Sequence, residues 1–162
     1  MLQRLVLLLL ILVLVCPIGA QTGSAQSKPI QLALFNPIQI FPEGTSIGGL
    51  RLNLIYSKNA SLTGVDLGLV NMLSGDMKGV QWGLVGVTDG GTTGIQMNYV
   101  SMPKGKVEGV QLGFYNSGGH VSGLQLGFVN YAGTMYGLQI GLVNIIDKGG
   151  MFPFFPIVNW SF

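Results

Sequence analysis

Val121-Ser122-Gly123-Leu124-Gln125-Leu126-Gly127-Phe128-Val129 reads nearly the same in either direction, and variants of it fill most of the chain. The first glycine of each copy falls at Gly49, Gly64, Gly79, Gly94, Gly109, Gly123 and Gly137. A degraded copy has Pro29 in that place, followed by Ile30-Gln31-Leu32-Ala33-Leu34-Phe35-Asn36. A spacing of 14 or 15 residues through the regular part is one strand plus one short turn, so the repeat decides the architecture.

Successive side chains of a strand point to opposite sides, and this sorts each copy into two faces. One face is apolar: Val65, Leu67 and Leu69, then Val80, Trp82 and Leu84, then Ile95, Met97 and Tyr99. It continues through Val110, Leu112 and Phe114 to Leu138, Ile140 and Leu142. The other face is small or polar in the middle and apolar at its ends, as in Met77-Gly79-Gln81-Gly83-Val85. A helix would scatter these residues around its surface at about 100° per step.

Between the copies lie turn-rich segments, 71–76, 86–91, 101–106, 116–120 and 130–134. Connections this short join antiparallel neighbours, because a parallel crossover takes about a dozen residues or more. The sequence therefore predicts an antiparallel meander, closed so that no edge is left open. Nine residues at ~3.3 Å per residue, tilted by about 40°, span roughly 23 Å, the apolar height of an outer-membrane barrel. The expected fold is all-β, a small barrel of about eight to ten strands with no wide bore. The alternative is a β-solenoid of 14 to 15 residue coils, in which Gln81, Gln96, Gln111, Gln125 and Gln139 align as a ladder. The palindrome centred on each glutamine keeps that residue at mid-strand whichever way the strand runs, which favours the meander.

Residues 1–20 read as a cleaved signal peptide, with Arg4, the apolar run Leu5 to Val15, and small residues at Gly19-Ala20. A second small-residue site ends at Ala25, so residues 21–28 form a short flexible N-terminus before a single β-repeat domain over 29–162. Cys16 is the only cysteine, and Val15 before it is not the small residue that lipoprotein acylation requires. Charged residues are 9% of the chain and glycines number 26, too few charges to cover a water-soluble surface easily. The lysines are scattered singly, so nucleic acid is excluded as a partner for want of a basic patch. The expected partners are the lipid bilayer of the outer membrane and the barrel-assembly machinery.

Arg51 and Asp66 occupy the glutamine position of neighbouring copies, and opposite charges there predict a pair inside the barrel. Arg51→Ala should then be costly and Asp66→Asn milder, since an amide restores the local pattern. The end, Val158-Asn159-Trp160-Ser161-Phe162, resembles a barrel-assembly signal, with Trp160 and Phe162 as its aromatics. Nothing suggests an enzyme, a cofactor or a metal. His120 stands alone in a turn, Asp76, Asp89 and Asp147 fall at turns, and no serine, threonine or lysine has a recurring base beside it.

Gly-Leu-Gln-Leu-Gly-Phe-Val-Asn at 123–130 and Gly-Leu-Gln-Ile-Gly-Leu-Val-Asn at 137–144 resemble the tandem surface-repeat proteins of Leptospira and other bacteria. The flanks are similar too, Phe35-Asn36-Pro37 to Pro42-Glu43 before the repeats and Pro156 to Phe162 after them. Asn98 and Gly86 depart from the pattern, which has glycine and asparagine there. The resemblance implies export to the cell envelope or surface and carries over no site residues. The expectation is an exported envelope protein with a structural or surface role, integral to the outer membrane, or else a secreted or surface-attached solenoid acting as adhesin or binding module.

Overall fold

A computed structural model describes residues 27–162. The expected signal peptide over 1–20 and Cys16 lie outside the described residues. The elements are β1 (Lys28–Phe35), β2 (Ile38–Gln39), β3 (Ile47–Asn59), β4 (Leu62–Leu73), β5 (Met77–Thr88), β6 (Thr92–Pro103), β7 (Lys106–Lys148) and β8 (Phe154–Ser161). They form one open sheet in the order β2-β1-β3-β4-β5-β6-β7-β8.

Each of β3 to β6 pairs in parallel with the next, so that Met77 lies on Thr92, Gln81 on Gln96 and Thr88 on Pro103. One repeat is therefore one coil of a β-solenoid, and the chain makes about six turns. β5 shows how a coil closes. Its buried residues are Met77, Gln81, Gly86 and Thr88. Inward positions are odd-numbered up to Gly83 and even-numbered from Gly86, because Leu84 and Val85 both turn outward. That one-residue slip bends the coil and brings its second half back over the first. The turn Asp89-Gly90-Gly91 then lifts the chain to β6, with Gly91 N–H donating to the Asp76 carboxylate of the turn below at 2.8 Å.

The antiparallel barrel is thus overturned. The segments taken as loops contain the second half of each coil: Asn71, Met72 and Leu73 belong to β4, and Gly86, Val87 and Thr88 to β5. A coil that bends within itself needs no separate crossover to pair in parallel. Nor do the two proline-bearing ends meet, since β2 and β8 lie at opposite ends of the sheet. They serve as caps. At one end β1 lies parallel on β3, β2 folds back on it antiparallel, and Gln31 exchanges hydrogen bonds with the Phe41 backbone at 2.8 and 3.0 Å. At the other, β8 pairs antiparallel with the last coil, Gln139 against Asn159, and Pro156 removes one backbone donor from that strand. A solenoid needs such ends to prevent further stacking.

Close stacking dictates the first glycine of the repeat. At Gly79 the backbone has φ of 126°, and a Cβ would lie 2.0 Å from the Gly64 carbonyl oxygen of the coil below. The interior near the turns is apolar, in two clusters: Ile47, Leu62, Leu73 and Met77, and Val107, Val121, Ala132, Met135 and Ile146. Between them stand Thr88 and Thr92, buried, with hydroxyls that meet no hydrogen-bond partner.

Candidate functional site

The bend side of the interior is polar. Gln81, Gln96, Gln111, Gln125 and Gln139 are fully buried in one column. Each donates through its amide nitrogen to the side-chain oxygen below, from Gln139 to Gln125 at 2.8 Å and on through 2.7, 2.9 and 3.0 Å to Gln81. Gln81 in turn donates to Asp66 at 2.9 Å. All the donors point toward one carboxylate, and the far end of the chain, Gln139 Oε1, is left unpaired. Aligned bonds of this kind polarise one another in a low-dielectric interior.

Arg51 closes the near end. Its Nε donates to Asp66 Oδ1 at 2.7 Å and its Nη2 to Oδ2 at 2.6 Å, both side chains wholly buried. Nη1 donates to the Met72 carbonyl at 3.0 Å. The two residues meet between parallel coils in register, not across an antiparallel pair.

A second column faces the first across the bend: Ser57, Asn71, Gly86, Ser101, Asn116, Asn130 and Asn144. Asn130 donates to Asn144 Oδ1 at 2.8 Å and to the Ile140 carbonyl at 3.0 Å. The second glycine of the repeat leaves room for this asparagine: a Cβ at Gly127 would lie 2.5 Å from Asn116 Nδ2. The departures at Asn98 and Gly86 compensate each other. Asn98 fills the space from the glycine position, donating to Gln81 at 2.9 Å and Ser101 at 3.3 Å, and a Cβ on Gly86 would strike its amide at 2.4 Å. Asn53 also stands at the glycine position, but it donates to Asn71 Oδ1 of the next coil at 2.6 Å, while Ser57 of its own coil donates to Asn59 at 3.2 Å. This column was legible as the asparagine that ends each Gly-Leu-Gln-Leu-Gly-Phe-Val-Asn unit.

The chemistry available to a partner lies outside. The apolar rows expected to meet lipid are exposed on the outer face of the first half-coil, with Trp82, Leu84 and Tyr99 each more than half exposed. Tyr99, Phe114 and Phe128 stack down this face with ring centroids 5.0 and 4.9 Å apart. An open groove of about 790 Å³ runs between the cap residues Leu32, Leu34 and Ile38 and the face residues Leu52, Leu69 and Trp82. A smaller one of about 290 Å³ is lined by Trp82, Met97, Tyr99 and Phe114. Apolar patches on monomers rarely exceed roughly 300–600 Å², and larger ones mark interaction sites.

Charges gather at the turn edge and rim instead, in pairs such as Lys104 with Asp89 at 2.7 Å and Lys106 with Glu108 at 2.6 Å. The hydrogen bond from Lys106, and after it that lysine's charge, holds the Glu108 carboxyl below the usual carboxylate range. His120 lies on the same edge, its Nδ1 2.6 Å from Thr134 Oγ1. Among the described residues no group of three acidic, histidine or cysteine side chains could hold a metal, and no helix is long and apolar enough to cross a membrane. Trp160 and Phe162 are placed at the C-terminal cap, Trp160 edge-on to Phe152 and Phe162 edge-on to Tyr136.

Together these features define a β-solenoid with a polar ladder inside its bend and an apolar face outside it. No protein-family model, curated protein or solved structure matches this chain.

Proposed function

We propose that this chain is an exported β-solenoid, secreted or attached to the cell surface, that acts as an adhesin or binding module through its outer apolar face. The observation that carries this is the exposure of Trp82, Leu84 and Tyr99 in one continuous face with the stacked Phe114 and Phe128. A scaffold whose interior is already filled by its own hydrogen-bonded amides offers surfaces rather than a cavity. The apolar start of the chain and the resemblance of its repeats to bacterial surface repeats support export. The closed barrel no longer stands behind insertion in a bilayer. Few charges and many apolar side chains fit a protein whose outer face is covered in use.

The test combines location with binding. External protease should digest the protein on intact cells, and carbonate should release it from membranes. The purified protein should be retained on alkyl-agarose, and Trp82→Asp with Tyr99→Asp should abolish retention while circular dichroism stays β-rich. Retention unchanged by both substitutions would remove the apolar face from the function.

A further inference from the structure

We propose that the apolar face receives a second copy of this chain, the two solenoids lying antiparallel about a twofold axis along β6. This rests on the apolar face being a binding surface. Coils are ~4.8 Å apart and alternate residues ~6.6 Å apart, so three rows over the coils from Gly49 to Gly137 make a face of about 30 by 20 Å. Two such faces pressed together remove roughly 1,200 Å² or more from water, enough for a specific dimer.

Charge selects the orientation. Lys78 and Glu108 occupy the row at the rim of this face, one coil to either side of Thr93. Lys78 belongs to no ion pair among the described residues. Gly94 is the middle member of the glycine row, so a twofold axis along its coil centres the interface. It also sets Lys78 of each copy opposite Glu108 of the other, twice. A parallel arrangement turns that rim toward the far side of the partner's face and leaves Lys78 unmatched. A lipid surface gains nothing from opposite charges at the same rim. Bulk is matched as well: Tyr99 meets its own copy, while Phe114 and Phe128 meet the smaller Leu84 and Leu69.

Sedimentation equilibrium of the purified protein should give a dimer. In a Cys16→Ser background, Tyr99→Cys should cross-link on mild oxidation, because the two positions meet on the axis, whereas Leu54→Cys near one end should not. Lys78→Glu and Glu108→Lys should each weaken association about tenfold, and the two together should restore it. Equal cross-linking at both cysteines, or no rescue by the double reversal, overturns this arrangement. A monomer at every concentration that is still retained on alkyl-agarose and captured by phosphatidylcholine vesicles overturns the second copy and leaves the binding face. A monomer with neither property overturns both.

Discussion

Arg51 and Asp66 offer the sharpest test of a solenoid interior. Their side chains are wholly buried, and the carboxylate receives two bonds from the guanidinium and one from Gln81. Arg51→Ala leaves Asp66 with a single neutral donor and no countercharge. The loss expected for a broken buried pair is about 3–5 kcal/mol. Asp66→Asn is not mild in this geometry. Donors converge on both oxygens, so the new amide must turn an N–H toward one of them, and the buried Arg51 guanidinium loses its countercharge, so this loss too should be about 3–5 kcal/mol. Arg51→Gln with Asp66→Gln extends the existing column by two more amides, and replacing a buried pair outright is often neutral, so this variant should lie within about 1 kcal/mol of the parent. Guanidinium unfolding followed by circular dichroism and by the fluorescence of Trp82 and Trp160 gives these values where the two transitions coincide. An Arg51→Ala loss under about 1 kcal/mol, the range of an exposed pair, would refute burial of the ion pair. A Gln/Gln variant as weak as Arg51→Ala would refute the ladder as a self-consistent column.

Thr88→Val and Thr92→Val join the two apolar clusters and remove hydroxyls that have no partner, so each should stabilise by about 1 kcal/mol or more, read as a rise in denaturation midpoint. Gly86→Asn should destabilise by about 1–3 kcal/mol through overpacking against Asn98, and Asn98→Gly in the same chain should recover most of it in the same assay. Gly79→Ala combines a positive φ with contact against the Gly64 carbonyl and should cost about 3 kcal/mol or more, seen as loss of the cooperative transition at modest denaturant.

The repeat length, the all-β class and the identity of the inward and outward residues of the first half-coil were all legible in the sequence, because period-two alternation is strict from Met77 to Leu84. Val85 decided the rest. Taken as one more inward residue, it prolongs the strand and leaves only a short loop for an antiparallel return. Outward beside Leu84, it marks the bend and makes Gly86 and Thr88 the inner residues of a second half-coil. Two adjacent apolar residues are ordinary at a strand end, so local pattern alone does not separate these outcomes. The Thr88 and Thr92 gap in the apolar interior was invisible for a related reason: those residues become neighbours only when the coil closes.

The palindrome has a physical origin different from indifference to strand direction. Its central glutamine needs a neighbour one coil away, which parallel stacking supplies at every step. The two glycines that flank it look equivalent and do unrelated work. The first, as at Gly79, allows the coil below to approach with its carbonyl. The second, as at Gly127, makes room for the asparagine column across the bend. In the coils from Gly49 to Gly137 only the second is exchanged, at Asn53 and Asn98, each time with serine replacing asparagine three or four residues on. Symmetry of sequence thus arises from two separate constraints on one bent coil. The outward apolar residues between those glycines are free of both constraints, and their persistence through every coil is what the proposed binding at that face would account for.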